Sequence, residues 1–309
     1  MIDPRIKQRH IQCFLEVARR RSVGKAANAL ALSQPAVSKT LKELEEILGV
    51  GLMDRSRSGV FLTGCGEVFL RHAWASRAAL QRALDSVAQA RGGARLPIRV
   101  GVLPTVASRL APDAVLRFKR EAPEVVVSLV SGPNRYLMDR LRQGELDLVV
   151  GRLGAADEMR DVAFVHLYSE RVALVVRPGH PLLAETPVDL SRLPAFPVVL
   201  PDRDALIRPA VERLLLAHGV GELPDRVETV SMAFGRSFAR ITDAVWFISR
   251  GVAEPDLREG VLAELPVDTT DTSGPVGLTT RADVEPEPAV RLFMAAVRQA
   301  AAALGTAPS

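Results

Sequence analysis

The strongest constraint on this chain lies in "LALSQPAVSKTLKELEE", residues 30–46, where one helical pattern stops and another starts within four residues. Val23, Ala26, Ala27 and Leu30 recur on one face of a short helix that Ser22 can cap. "ALS" (31–33) breaks that run. Ser33 can cap the next helix, with Pro35 in its first turn, where a missing N–H costs nothing. Val37, Leu41, Leu44 and Leu48 then form a single buried stripe, and Ile11, Phe14, Leu15 and Ala18 mark an earlier helix. Two short helices, a tight turn and a longer helix make a helix-turn-helix. The alanines of the second helix let it lie close against the third.

The stripe leaves Gln34, Ser38, Lys39 and Lys42 on the open face of the third helix. Such a helix enters the major groove with its N-terminal residues against base edges. Gln34 can bond adenine or reach a phosphate, Ser38 can serve either, and Lys39 can reach guanine or a phosphate. Lys42, a turn further on, suits the DNA backbone. In "LMDRSRSGVFLT" (52–63) two short apolar stretches flank a turn at Gly59, which predicts a hairpin wing. Arg55 and Arg57 in that wing can reach phosphates or a narrow minor groove.

Charge separates head from body. Through Arg95 there are 16 basic and 8 acidic residues, and after it 24 basic and 28 acidic. A basic head on a mildly acidic body suits a polyanion bound by the head alone. Residues 64–90 read as one helix, with Phe69, Ala73, Ser76, Leu80, Ala83, Val87 and Ala90 alternating spacings of four and three. That is the seam period of a paired helix and predicts a dimer, with a helix packed on its own domain as the alternative. "ARGGARLP" (90–97) then breaks it as a hinge. Cys13 and Cys65 fall in apolar settings that fit ordinary packing, with a redox role as the alternative.

The order Ala-Ala-x-x-Leu, Ser-Gln-Pro-Ala-Val-Ser, Leu-x-x-Leu-Glu, Leu-x-x-Arg and Leu-Thr-x-x-Gly in residues 14–66 resembles the winged helix-turn-helix of LysR-type transcriptional regulators. The resemblance implies that Ser33, Gln34, Pro35, Ser38, Lys39 and Arg55 line DNA. It also implies that the long helices pair antiparallel, with homodimers assembling into homotetramers, and that the protein works with RNA polymerase on an inverted-repeat operator. Met53 stands where the family usually has Phe, a core change that leaves the DNA contacts alone.

From "IRVGVLP" (98–104) onward, apolar strands at 125–132, 146–151, 171–182, 196–201, 226–231, 244–249 and 274–281 alternate with helices. This predicts an α/β body of two Rossmann-like subdomains with parallel sheets. The expected divisions are a DNA-binding head at 1–63, a linker helix and hinge at 64–95, and a body at 96–309. Within the body, subdomain I takes 96–165 and 270–309, and subdomain II takes 166–269. Ligands in such sheets bind beyond the carboxyl ends of strands. The residues there are Thr105, Ser131, Gly132 and Asn134 in one subdomain and Arg203 and Ser231 in the other. Thr105, Ser131 and Ser231 can equally be helix caps, and Arg203 a plain surface arginine.

"GELDLVVG", "ALVVRPGHPL" and "RPAVERLL" are phrases of the LysR-type effector domain, itself similar to periplasmic solute-binding proteins. Longer segments, among them "SGPNRYLMDRLRQGELDLVVGRL", resemble regulators of protocatechuate catabolism. That resemblance implies a cyclic or acyclic aromatic-derived carboxylate as effector and activation of a catabolic operon. Asp202 and Asp204 depart from it, because two carboxylates there disfavour an anionic ligand unless Arg203 and Arg208 offset them. A solute-binding protein would share the body but would carry an export signal and no basic head. An enzyme finds no support: the five histidines lack metal spacing, and no Walker or G-x-S-x-G motif occurs. No cofactor, metal or membrane span is expected, and a cytoplasmic location is.

Overall fold

Side-chain caps place the first helices where the sequence expects them. The structure, a computed structural model, describes residues 3–56, 59–92 and 97–305. α1 (Gln8–Arg20) ends on Arg21 in the left-handed conformation, φ 52°. The Ser22 hydroxyl accepts from Lys25 N to start α2 (Val23–Leu30), and Ser33 accepts from Ala36 N at 3.3 Å to start α3 (Gln34–Leu48). Cys13, Phe14, Val17, Ala26, Ala27, Val37, Leu41 and Leu44 are buried together. The buried face of α1 therefore centres on Cys13, Phe14 and Val17, and the expected Ile11 and Ala18 flank it half-buried.

The hairpin forms as predicted, with β1 (Met53–Ser56) antiparallel to β2 (Gly59–Leu62). Its position is set by backbone groups that have few alternatives. The Glu45 carboxylate accepts from Leu52 N at 2.7 Å and from Met53 N at 3.1 Å, and Val60 N donates to Arg21 O at 3.1 Å. Gly59, at φ 130°, passes so close that a Cβ there would stand 3.0 Å from Arg21 O. Arg57 lies outside the described residues.

α4 (Gly64–Gly92) starts at Thr63, whose hydroxyl accepts from Gly66 N. The expected seam along it needs correction. Phe69 meets Phe14 edge-on at 5.0 Å, and Ala73 with Trp74 is buried in the head core, so the first seam positions close the head itself. Ser76 and Ala83 are exposed. The apolar residues left uncovered are Leu80 (43% exposed), Leu84 (59%) and Val87 (60%). The Ala90 side chain and residues 93–96 of the hinge lie outside the described residues.

The chain divides into two units, the first of residues 1–94 with 142–144 and the second of residues 95–141 with 145–309. In the second, one sheet has the order β4-β3-β5-β12-β6. β3 (Ile98–Val102) lies parallel to β4 (Val127–Ser131) and β5 (Leu148–Arg152). β12 (Gly274–Arg281) runs antiparallel to β5 and to β6 (Val162–Glu170). The second sheet has the order β11-β7-β10-β8-β9. β8 (Val198–Leu200) is parallel to β9 (Arg226–Glu228) and β10 (Val245–Ser249). β7 (Val172–Val176) and β11 (Ala263–Glu264) complete it antiparallel.

The sheets are thus mixed rather than parallel throughout, because the segments that cross between subdomains join as antiparallel strands. The expected division at 165/166 falls inside β6, which stays paired to β12 through Glu170, and the chain changes sheet at Arg171. Helices α5 (Pro104–Arg109), α6 (Ala111–Glu121), α7 (Asn134–Arg142) and α11 (Pro288–Gly305) cover the first sheet. α8 (Arg208–Ala217), α9 (Met232–Ile241) and α10 (Arg250–Arg258) cover the second. The central strands are buried on both faces, as the continuous apolar runs require. Gly101 shows how tightly: a Cβ there would lie 2.8 Å from Leu146 Cδ1.

Phe14 is fully buried at the meeting of α1 and α4. Phe14→Ala is expected to destabilise the head by about 3–5 kcal/mol, the cost of a phenyl-sized cavity. Denaturant unfolding followed by circular dichroism checks this, and a loss below about 1 kcal/mol would contradict the packing described.

Candidate functional site

α3 presents the polar face that its apolar stripe leaves over. Val37, Leu41 and Leu44 are buried, while Gln34, Pro35, Lys39 and Lys42 are exposed and Ser38 is half-buried. Ser33 holds the N-terminal turn in place through its cap on Ala36 N. Behind this polar face, Glu43 accepts from Arg9 at 3.0 Å and stands 3.3 Å from His10 Nε2. His10 Nδ1 accepts from Lys7 N, so Nε2 carries the proton that meets the carboxylate. The His10 and Arg9 hydrogen bonds hold the Glu43 carboxyl below the usual carboxylate range. Lys42 pairs loosely with Glu46 one turn on, at 3.7 Å. Arg55 is placed by register opposite Val60 in the wing.

The second unit contains a cavity of about 120 Å³ where its two subdomains meet. It lies at the carboxyl ends of the parallel strands, as expected for such sheets. From the first subdomain it is lined by Thr105, Gly132, Asn134 and Arg152, and from the second by Asp202, Asp204, Thr229 and Met232, among mostly apolar neighbours such as Leu103, Ile207 and Phe247. The structure therefore brings Thr105, Gly132 and Asn134 together. Asn134 is buried, with Nδ2 donating to Glu158 at 2.8 Å.

Three expected residues are not among the lining. Ser131 is exposed at the end of β4. The Arg203 side chain is 79% exposed, its nearest carboxylate Glu228 at 3.9 Å. The Ser231 hydroxyl is used as the cap of α9, accepting from Phe234 N.

Arg152 is the residue that sequence reasoning missed. It ends the third parallel strand, so the rule applied to the ends of β3 and β4 would have found it at β5. Its Nη1 donates to Glu170 O at 3.1 Å and its Nη2 to Thr272 O at 2.6 Å. These carbonyls belong to the two segments that cross between subdomains. Burial pulls the guanidinium below the usual arginine range, against the opposing charge of Glu170. Two donors occupied out of five leave this cation with capacity for a further acceptor.

A second ionic group fixes the same junction. Glu170 Oε1 accepts from Gly251 N at 2.8 Å and from Arg109 Nη1 at 3.1 Å, and Arg109 Nη2 meets Glu254 at 2.8 Å. Burial pushes the Glu170 carboxyl up, with Arg109 acting against it. Among the described residues there is no cluster of three His, Cys, Asp or Glu that could hold a metal. No helix among them is long and apolar enough to cross a membrane.

Comparison with known proteins bears on both regions. Residues 8–67 match the family described as "Bacterial regulatory helix-turn-helix protein, lysR family", and residues 91–302 match "LysR substrate binding domain". The HTH-type transcriptional regulator PcaQ of Agrobacterium fabrum is 52% identical over 304 residues, 98% of each chain. The uncharacterized HTH-type transcriptional regulator YdcI of Escherichia coli is 35% identical over 299 residues, 97% of each chain. Among solved structures, a full-length OxyR variant from Pseudomonas aeruginosa has a TM-score of 0.61 at 23% identity, covering 95% of each chain. Full-length BenM has a TM-score of 0.54 at 24% identity, covering 98% of this chain and 99% of that one. The chain belongs to the LysR family of bacterial transcriptional regulators, with a DNA-binding helix-turn-helix unit followed by an effector-binding domain.

Proposed function

We propose that this regulator activates a catabolic operon in response to a small carboxylate derived from an aromatic compound, bound in the cavity between the two body subdomains. The observation that carries the reading is Arg152: a largely buried cation at the cavity wall whose hydrogen bonds, among the described residues, go only to backbone carbonyls. A carboxylate supplies acceptors for the donors this cation has left, in a setting where charge-assisted hydrogen bonds are strong. Thr105 adds a hydroxyl to the same wall, and Gly132 and Asn134 sit at the start of α7, where partial positive charge gathers. The relation to PcaQ over nearly the whole chain supports aromatic catabolism as the setting.

On this reading residues 1–63 bind DNA, 64–95 link and dimerise, and the effector domain starts at 96. Gln34, Ser38 and Lys39 read base edges, while Ser33, Pro35, Lys42, Arg55 and Arg57 meet the backbone or the groove walls. Two copies read an inverted repeat and pair into a tetramer that engages RNA polymerase. The stripe Leu80, Leu84 and Val87 supports pairing through α4, beside a groove that Leu15 and Leu30 help to line.

Three experiments test these assignments. Lys39→Ala is expected to weaken operator binding and relax preference at one or two positions, by roughly 1–3 kcal/mol if it contacts a base. A gel shift with the protein's own upstream region at fixed salt reads this, and unchanged affinity would remove α3 from the recognition role. Leu80→Asp should give monomers with poor operator affinity, and a wild type that scatters light as a monomer at micromolar concentration would sink the α4 pairing. Thr105→Val keeps the shape and deletes the hydroxyl, so effector response in a reporter assay should fall with operator binding intact. Equal response in the two proteins would take Thr105 out of the site.

A further inference from the structure

α3 carries two lysines, each followed four residues later by a glutamate: Lys39 with Glu43, and Lys42 with Glu46. Residues four apart on a helix are neighbours, so either couple can close an ion pair along the surface. In the structure they behave differently. Lys42 and Glu46 pair at 3.7 Å, both exposed. Glu43 turns instead to α1, where its Oε2 accepts from Arg9 Nη2 at 3.0 Å and stands 3.3 Å from His10 Nε2. Lys39 is exposed and forms no ion pair among the described residues.

α1 holds the carboxylate with two different groups. His10 is buried, and its Nδ1 accepts from Lys7 N, which fixes the ring with Nε2 toward Glu43. Arg9 is exposed and adds a full charge to the same oxygen. Of the influences that hold the Glu43 carboxyl below the usual range, the His10 hydrogen bond is the largest and the charge of Lys39 the smallest. Released from α1, that carboxylate would find its nearest cation one turn back on its own helix, at Lys39. A lysine paired in this way brings less charge to a polyanion, because the pair must be broken before the ammonium can meet a new acceptor.

We infer that Arg9 and His10 are positioning residues for Lys39: by holding the Glu43 carboxylate on α1, they leave the Lys39 ammonium unpaired on the open face of α3. The inference rests on the proposed role of α3 in contacting DNA and adds how the charge on that helix is set. Two other roles fit the same contacts. Glu43 can serve only to brace α1 against α3, or Arg9 can meet a phosphate itself.

Fluorescence anisotropy of the full-length protein with its own upstream region, at one fixed low salt concentration, separates the three. The variants are Arg9→Gln, Glu43→Gln and Lys39→Ala, singly and in pairs. Arg9 is exposed, and the Glu43→Gln amide keeps an oxygen that accepts from His10 Nε2, so the contact of α1 with α3 survives. Arg9→Gln should weaken binding roughly two- to fourfold, in keeping with the modest strength of an exposed pair four residues apart. Glu43→Gln should bind at least as tightly as the wild type. The loss from Arg9→Gln should disappear in the Glu43→Gln background and in the Lys39→Ala background. Four results overturn the inference. No loss from Arg9→Gln means that Arg9 holds nothing that matters. A loss from Glu43→Gln equal to that from Arg9→Gln makes Glu43 a brace. A loss from Arg9→Gln that is undiminished in Glu43→Gln makes Arg9 a phosphate contact. One that is undiminished in Lys39→Ala shows that it does not act through Lys39. Failure of the α3 reading itself has a different mark, namely that Lys39→Ala alone leaves the affinity unchanged.

Discussion

A guanidinium taken largely out of water must be solvated by something else, and at Arg152 the backbone of the two crossing segments does this. Its bonds to Glu170 O and Thr272 O hold together the segments through which the chain leaves the first sheet and returns to it. Gly274 makes the contact possible: a Cβ there would fall 2.3 Å from Nη2, so any side chain would displace the cation. Around it Thr272 accepts from Val172 N through its hydroxyl at 2.8 Å, and Arg171 donates to Thr269 at 2.7 Å. The cavity wall and the crossover thus meet at a single residue. Removing that residue would take its bonds away from both carbonyls, and a buried acceptor left unsatisfied costs more than the bond itself contributes.

The head follows a different logic, in which short-range caps decide what the long-range core leaves exposed. Ser22 and Ser33 satisfy helix-end donors that water would otherwise have to reach, and the left-handed residues Arg21 and Ala31 turn the chain sharply between helices. The small Ala26 and Ala27 are buried against α3. With α3 held on that side by Val37, Leu41 and Leu44, its periodicity alone turns Gln34, Ser38 and Lys39 outward. Arg21 then serves twice, since its carbonyl also accepts from the wing at Val60.

What the sequence shows and what it hides divide along the same line. Capped helices with a 3.6-residue period, the Gly59 turn and the parallel apolar strands were legible because each is set by residues close in sequence. β6 was missed because it alternates weakly and has one exposed face, and no helix separates it from β7. The seam on α4 was misjudged because period reveals a buried face but not what buries it, and Phe69, Ala73 and Trp74 turn out to complete the head core. At the cavity, Thr105, Gly132 and Asn134 were legible from strand ends. Ser231 was not separable from a cap by sequence, since capping and facing a ligand use the same residue type at the same place. Asp202 and Asp204 stood out by their chemistry, yet only the structure shows Arg203 and Arg208 committed elsewhere.

The placement of the ion pairs bears on how binding can reach the rest of the effector domain. Thr105 lines the cavity near the start of α5, and Arg109 at the other end of that helix joins Glu170 in the crossover and Glu254 on α10. Gly251 lets this cluster close, because a Cβ there would stand 2.2 Å from Glu170 Oε1. One short helix therefore carries both a cavity residue and a charge that ties the subdomains together. A ligand can act only through different affinities for two arrangements of those subdomains. A coupling of about 1–3 kcal/mol is typical of such systems and is smaller than the cost of stripping a partner from a buried charge. Any rearrangement that responds to ligand must then carry the Arg109 and Arg152 contacts along rather than break them.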